Sequence, residues 1–303
     1  LARMTDAPRF GQRAPQERRE NCTTHPSVPA TSYCKRCNRP ACADCSIRTE
    51  VGSICVDCAP AGARRYGKSP WSGKTRNPGS SGALQALKSN PVTATLIALN
   101  VAIFVVQLFT PVLLNLFAFS PQWAVAQPWR FLSSAFVHAD FWHLLFNMLM
   151  LYLLGSAVER VLRWWRYLAV YLLGAFAGSV LILGWVFAVP GTWDGWTVGA
   201  SGAIFGLFGA ILVLQKRAGM STTSILTLLA INLVYGFVMP GISWQGHIGG
   251  FIGGLVAALL LVAIADATRR KSRTQTVVWS LVGIVGLTAV MVGGTWGMYA
   301  LLL

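Results

Sequence analysis

Charged side chains are scarce in this sequence, and acidic ones are the scarcest. Charged residues make up 12% of the 303 positions, hydrophobic residues make up 54%, and the mean hydropathy is +0.54. This composition excludes an ordinary soluble globular protein and predicts a polytopic membrane protein. Cysteine is absent after residue 58 and histidine occurs only four times. Any chemistry that uses these side chains is therefore confined to a few positions.

Ten acidic residues stand against 25 basic ones, which gives a net charge of +15. Fifteen of the basic residues lie within the first 91 positions, which marks that part of the chain as a separate polar domain. A charge of this size also suits nucleic acid. We favour anionic lipid as the partner and expect no specific nucleic acid, because basic residues beside membrane helices orient the chain and hold it against lipid.

The polar part of the chain contains two segments without a folding pattern. Residues 1–20 are predicted to be a disordered N-terminus. Residues 61–90, rich in Gly, Ser, Pro and basic side chains, are predicted to form a flexible basic linker along the membrane face. We expect no cleavable signal peptide, because the first 90 residues contain no apolar run of the required length.

Seven hydrophobic segments are predicted to be transmembrane helices, since only helices or closed barrels satisfy the backbone in lipid. They cover residues 91–109, 141–158, 165–187, 201–214, 224–238, 246–265 and 276–303. The fourth and fifth are short for a full span of about 20 residues. We expect their ends to lie in a water-filled recess.

The charges between the segments predict the orientation. The connections after the second, fourth and sixth segments carry clusters of Lys and Arg, whereas those after the first, third and fifth carry only Arg130. The positive-inside rule then places the protein in the cell membrane with a cytoplasmic N-terminus and an extracytoplasmic C-terminus. In this orientation His138, His143, Ser201 and His247 gather near the extracytoplasmic face.

A serine and a histidine at the starts of apolar segments suggest nucleophilic chemistry. Polar residues at membrane depth are costly unless they face a wet cavity or a partner, and serine needs an adjacent base to act as a nucleophile. Ser201 and His247 each follow a glycine-containing helix start, and the glycines allow close helix approach. His143 and Asn147 are four residues apart and share a helix face, which suits two donors directed at one point.

Two alternatives use the same residues differently. A metal site could employ His138, His143 and His247, but the spacing of five between the first two departs from the zinc-protease pattern, and their segment lacks a glutamate base. A transporter is disfavoured because the polar residues cluster at the outer helix ends and do not line a path through the bilayer.

The combined pattern resembles the rhomboid family of intramembrane serine proteases. It consists of Trp129-Arg130, the spacing H-x4-H-x3-N from His138 to Asn147, Gly199-Ala200-Ser201-Gly202, and Gly246-His247 with Gly250. The resemblance implies an all-α polytopic membrane protein, with a six-helix protease core in residues 91–270 and an additional seventh transmembrane helix in residues 271–303. It also implies a Ser-His dyad that hydrolyses peptide bonds of transmembrane protein substrates near the extracytoplasmic face.

The resemblance implies a role for each site residue. Ser201 is the nucleophile and His247 the general base and then acid. His143, Asn147 and the Ser201 backbone N–H form the oxyanion hole, and His138 supports them, while the ring of Phe205 stacks on His247. No third acidic residue is expected, since Asp266 lies about 28 Å beyond His247 along a helix. The alternative is a catalytically inactive rhomboid-like protein that binds clients, which the presence of both Ser201 and His247 disfavours.

All seven cysteines and the remaining histidine fall within residues 21–60 as four pairs, each with two residues between its members. The pairs are Cys22 and His25, Cys34 and Cys37, Cys42 and Cys45, and Cys55 and Cys58. Eight such ligands predict two closed, structural zinc sites, whereas a disulfide framework conflicts with the odd cysteine count and the predicted reducing compartment. Catalysis is expected to need no cofactor.

The order of the pairs resembles a B-box-type zinc finger, although the last pair is Cys55 and Cys58 where many members have histidines. The resemblance implies crossed pairing, in which the first and third pairs share one ion and the second and fourth share the other. Sequential pairing stays open. The module is expected to bind a protein partner or to regulate the membrane domain.

The alternating loop charges lead to a topological prediction. A reporter fused after Leu303 should be active outside the cell, and one inserted beside Lys216 should be active in the cytoplasm. A phosphatase and fluorescent-protein pair at the two positions measures this. Reversal of both signals would place Ser201 at the cytoplasmic face and contradict the predicted orientation.

Overall fold

The computed structural model describes residues 20–49, 52–59, 89–239 and 241–303. The chain divides into two compact units between residues 79 and 80. Nearly all of the predicted disordered segment 1–20 and of the predicted linker 61–90 lies outside the described residues.

The N-terminal unit is built from two small antiparallel sheets. Strands β1 (Ser32–Tyr33) and β2 (Pro40–Ala41) form the first, strands β3 (Ser46–Thr49) and β4 (Gly52–Cys55) form the second, and a 3-10 turn, Ala43–Cys45, separates them. The buried hydrophobic side chains of this unit are five cysteines and Ala41. A core of this size is too small to stabilise a fold by itself, so the unit needs a further source of stability.

The second unit is helical and contains all seven predicted helices, together with three short helices that the sequence analysis did not predict. In chain order the helices are α1 (Pro91–Phe109), α2 (Val112–Phe117), α3 (Pro121–Ala124), α4 (Arg130–Ser133), α5 (Phe141–Leu162), α6 (Trp164–Trp185), α7 (Ser201–Arg217), α8 (Thr223–Val238), α9 (Trp244–Ala267) and α10 (Arg273–Leu302). Helix α5 includes a π-helical turn, Leu151–Gly155.

Five of the described helices, α1, α5, α6, α9 and α10, are long and apolar enough to cross a membrane. Helices α7 and α8 have only 17 and 16 residues, as the two short predicted segments required. The apolar helices, together with the wide exposure of their hydrophobic side chains, support a multi-pass membrane protein.

Helix α7 packs between α6 and α9, and glycines allow close approach of the three backbones. A Cβ atom added at Gly206 would lie 3.0 Å from the Cα atom of Gly174 on α6. One added at Gly254 on α9 would collide with the backbone of Gly206. The three backbones are therefore in direct contact, an arrangement that small residues allow between membrane helices.

A buried carboxylate joins α1 to α5. Glu159, which is 5% exposed, accepts hydrogen bonds from the backbone N–H groups of Val92 and Thr93, both at 2.9 Å, and from the Thr93 hydroxyl at 2.8 Å. The Thr93 hydroxyl also lies within hydrogen-bond distance, 3.1 Å, of the hydroxyl of Tyr167 on α6. The first turn of α1, the last turn of α5 and the first turn of α6 thus lie together at one end, called here the basic end.

Helix α10, which corresponds to the seventh predicted segment, packs against α6 and α9 and reaches the opposite end of the unit. The buried Tyr299 donates a hydrogen bond of 2.8 Å from its hydroxyl to the carbonyl of Pro121. Its ring also meets that of Trp193 edge to face, with centroids 6.2 Å apart. Helix α10 therefore fixes the connections α1–α5 and α6–α7 at that end.

The glycine contact leads to a stability prediction with a matched control. Gly254→Ala should lower the melting temperature of the purified protein, because the new methyl group overpacks the α7–α9 contact at a typical cost of about 1–3 kcal/mol. Gly286→Ala on α10, where nothing lies within 4 Å of the added atom, should leave the melting temperature unchanged or raise it. Equal melting temperatures for the two variants would contradict the packing described.

Candidate active site and metal centres

The starts of α7 and α9 lie against one another at the end of the unit opposite the basic end, called here the site end. A Cβ atom at Gly202 would lie 3.4 Å from the carbonyl oxygen of Gly246, and one at Gly250 would collide with the Gly202 backbone. Ser201 is the first residue of α7 and is partly exposed. His247 lies in the first turn of α9, so the structure brings these two helix starts together.

His247 is 7% exposed and is held by packing. The ring of Phe205 stacks on it, with centroids 4.1 Å apart and planes 10° from parallel, which is the contact expected from the sequence. A Cβ atom at Gly236 of α8 would lie 2.9 Å from Nδ1 of His247. Within the described part of the chain, Nδ1 has no hydrogen-bond partner.

Asp266 lies far from His247, as its sequence distance predicted. Its carboxylate receives two hydrogen bonds of 2.5 Å from the guanidinium of Arg217. The pair links the ends of α7 and α9 at the basic end.

His143 contacts the segment that leads into α7. Asp140 begins α5 by accepting a hydrogen bond of 2.9 Å from the backbone N–H of His143. A Cβ atom at Gly199 would lie 2.5 Å from Cε1 and 2.6 Å from Nε2 of the His143 ring. Gly199 also has a φ of +114°, so both the backbone and the ring contact require glycine at this position.

Asn147 lies one turn beyond His143 and is 6% exposed. Its Nδ2 donates a hydrogen bond of 2.8 Å to the carbonyl of His143. An amide group has two N–H donors, so this bond engages only one of them. His143 and Asn147 share a helix face, as their four-residue spacing predicted. One of the two Asn147 N–H groups, however, is bonded within the helix and only the other is left for a substrate.

His138 is fully buried, and its ring packs edge to face against the ring of His143, with centroids 5.2 Å apart and an angle of 66° between the planes. Gln107 of α1 holds its backbone by donating 2.6 Å to the His138 carbonyl and accepting 3.3 Å from its N–H. The sequence analysis missed Gln107. Its one available signal is that Gln107 is a polar residue inside an otherwise apolar predicted helix.

The Trp129-Arg130 motif lies at the start of α4. Arg130 is 3% exposed and donates to the carbonyl of Ala118 at 2.6 Å and to the side chain of Gln127 at 2.7 Å. Its guanidinium also lies 5.4 Å from the ring centroid of Trp196. Arg130 therefore ties the α1–α5 connection to the segment that precedes α7.

The eight predicted metal ligands form two clusters in the N-terminal unit. Cys22, His25, Cys42 and Cys45 form the first, and Cys34, Cys37, Cys55 and Cys58 form the second, with the ligand atoms of each cluster within 4.8 Å of one another. These are the groups of the crossed pairing, not those of the sequential one. All seven cysteines are free thiols in this structure, which disfavours the disulfide framework.

The geometry of the clusters fits a tetrahedral ion. The Sγ atoms of Cys37 and Cys55 are 3.6 Å apart, close to the edge of about 3.8 Å that zinc–sulfur bonds of about 2.3 Å define. Nδ1 of His25 lies 3.3 Å from Sγ of Cys45 and 3.5 Å from Sγ of Cys42. Among the described residues, His138, His143 and His247 are not grouped in this way.

Two thiols, one in each cluster, have a lowered pKa. A hydrogen bond from the Cys42 backbone lowers the pKa of Cys22 to about 6, and one from the Cys55 backbone lowers the pKa of Cys34 to about 6. Burial raises the pKa of Cys45 to about 11. Each cluster thus contains one thiol with a lowered pKa, and the thiolate is the form of cysteine that binds a metal ion.

Comparison with known proteins places this architecture in a family. A family model described as Rhomboid domain matches residues 125–264, and one described as B-box zinc finger matches residues 17–50. The chain belongs to the rhomboid family and carries a B-box zinc finger at its N-terminal side. The B-box match ends before Cys55 and Cys58, the two ligands by which the sequence departs from the common pattern.

Three relatives are named as rhomboid proteases. "Rhomboid protease GluP" of Bacillus subtilis is 40% identical over 139 residues, which are 44% of this chain and 26% of that protein. "Putative rhomboid protease YdcA" of the same organism is 37% identical over 139 residues, 44% of this chain and 67% of that protein. "Rhomboid-type serine protease 2" of Emericella nidulans is 31% identical over 155 residues, 48% of this chain and 29% of that protein.

Proposed function

We propose that this protein is an intramembrane serine protease with Ser201 as nucleophile and His247 as general base. The observation that carries the proposal is the backbone contact between the first turns of α7 and α9, with Phe205 stacked on His247. The contact places the helix start that carries Ser201 beside the helix start that carries His247. The relatives named as rhomboid proteases support the same reaction class.

The proposed reaction has two steps. His247 takes the proton of the Ser201 hydroxyl as the oxygen attacks the carbonyl carbon of the substrate, and the imidazolium then gives this proton to the departing amine. A water molecule, activated by the same histidine, hydrolyses the acyl-enzyme. His247 needs no acidic partner for orientation in this scheme, because the stacked ring of Phe205 and the close backbone of Gly236 fix its plane.

The developing oxyanion requires hydrogen-bond donors. The backbone N–H of Ser201 is one of the unpaired groups of a helix N-terminus, where positive partial charge accumulates. His143 is positioned beside it through its ring contact with Gly199, and the second N–H of the Asn147 amide is the third donor. His138 supports His143 through its ring contact, and Gln107 in turn holds the backbone of His138.

We further propose that the substrates are transmembrane proteins cut near the extracytoplasmic face. The basic loops at the opposite end of the helices support a cytoplasmic N-terminus, which directs the site end outward. Hydrolysis needs water, and the short α7 places its Ser201 end below the level that a full-length helix would reach. A recess at this end admits water without opening the bilayer.

Mutation of the dyad provides the first test. Ser201→Ala and His247→Ala should abolish cleavage of a transmembrane substrate in liposomes while the melting temperature stays within a few degrees of wild type. His143→Ala and Asn147→Ala should each slow cleavage by about 10²–10³, the usual effect of losing one oxyanion donor. Mass spectrometry of the products measures rate and cut position.

Ser224→Ala, at the start of α8 and therefore at the basic end, is the matched control and should cleave at the wild-type rate. Undiminished cleavage by folded Ser201→Ala would refute the serine mechanism. A folded wild-type protein that retains a substrate without cutting it would instead establish the inactive, client-binding alternative.

We propose that each Cys/His cluster binds one zinc ion with a structural role. Each cluster offers four protein ligands, which close a tetrahedral site and leave no position for substrate. The module folds around the ions and presents its remaining surface to a protein partner. Zinc therefore contributes to folding of the N-terminal unit and not to hydrolysis.

Metal content tests both the number and the pairing. The wild-type protein should contain two zinc ions per chain by plasma mass spectrometry. A Cys22→Ser, Cys42→Ser double variant should retain about one ion, because both changes fall in one cluster, whereas Cys22→Ser, Cys34→Ser should lose both. The reverse order of the two double variants would indicate sequential pairing. A chelator that empties both clusters should leave cleavage by the membrane unit intact.

A further inference from the structure

A groove between α6 and α10 takes no part in the proposed hydrolysis. Its volume is about 400 Å³, and its walls are apolar, with Leu168, Leu172 and Phe176 on α6 and Leu281 and Ile284 on α10. Thr288 also lines it, but its hydroxyl donates 2.8 Å to the Ile284 carbonyl within its own helix. The groove therefore offers no polar partner and suits a hydrocarbon chain.

The positively charged side chain of Arg166 lies at one end of this groove. The guanidinium of Arg166 is 4.9 Å from the ring centroid of Trp165, which lines the groove, and donates 3.3 Å to the hydroxyl of Ser280, the residue before Leu281. The guanidinium thus lies between the first turn of α6 and the third turn of α10. Its Nε is buried and has no hydrogen-bond partner in the described residues.

Among the described residues, Arg166 has no counter-ion. Helices α6 and α10 contain no acidic residue. The basic end also carries Arg163 and the basic run from Arg269 to Arg273. The acidic side chains described at this end are already engaged, Glu159 with the start of α1 and Asp266 with Arg217. A guanidinium partly withdrawn from water without an anion is costly, and phosphate is the anion that its fork of donors matches best.

We propose that the α6–α10 groove binds an anionic glycerophospholipid, with its phosphate on Arg166 and one acyl chain along the groove. The anionic class is selected over the zwitterionic one because only a net negative headgroup compensates the charge of Arg166, whereas the phosphate of a zwitterionic lipid is already paired with its own ammonium group. The lipid would join α10 to the six-helix core through contacts with both helices. This binding does not depend on the proposed proteolysis.

Native mass spectrometry of the full chain tests the site with two lipids that share acyl chains, palmitoyl-oleoyl phosphatidylglycerol and palmitoyl-oleoyl phosphatidylcholine. Wild-type protein should retain one phosphatidylglycerol at a concentration about tenfold lower than that needed for phosphatidylcholine, as one charge-assisted hydrogen-bonded contact predicts. Arg166→Gln should remove this preference. Arg270→Gln, which deletes an exposed charge at the same end, should keep it.

Filling the groove provides an independent variant. Thr288→Trp should prevent retention of both lipids, whereas Val290→Trp on the same helix, which is 73% exposed and outside the groove, should not. Equal loss of preference in Arg166→Gln and Arg270→Gln would replace the site by diffuse attraction and overturn the proposal. Undiminished retention by Thr288→Trp, or a protein dimer in place of the lipid adduct, would overturn it as well.

Discussion

The helical unit depends on direct backbone contact between α6, α7 and α9. In lipid, apolar side chains gain little by moving from hydrocarbon to a helix interface, so association rests on van der Waals contact and on close polar approach of the backbones. Gly206 lies against Gly174 on one side and Gly254 on the other. This contact sets the distance between α7 and α9 along their whole length, and the separation of their first turns follows from it.

Buried polar side chains supply the second set of constraints, and most of them bond to backbone groups. Glu159 holds the start of α1, Gln107 holds the backbone of His138, Arg130 holds the carbonyl of Ala118, and Tyr299 holds that of Pro121. Each bond crosses between elements that are distant in sequence. In a bilayer such groups have no water as an alternative partner, so these bonds fix the irregular connections around the candidate site.

Much of the fold could be read from the sequence because lipid imposes a strong local rule. Apolar length and flanking charge predicted the five long helices and the two shorter ones, α7 and α8. The first helix has the predicted bounds, and the last begins three residues earlier than predicted. The pairs of ligands in the N-terminal unit could also be recognised in the sequence, because two ligands separated by two residues can both reach one tetrahedral ion. The three short helices α2 to α4 carry no such signal, because their conformation is held by Arg130 and other contacts with remote segments.

The sequence by itself determined the residue types that chemistry needs, namely a serine and a histidine at helix starts and eight metal ligands in four pairs. Tertiary structure decided which of them meet. Crossed pairing of the ligands arises from the two hairpins, and no spacing along the chain distinguishes it from sequential pairing. Two further hydrogen bonds are decided by packing. Asn147 donates to the carbonyl of His143 within its own helix, and Gln107 of α1 donates to the carbonyl of His138. A sequence pattern reports the period of a helix, whereas the rotamer and the partner of each polar side chain depend on what the neighbouring helices leave free.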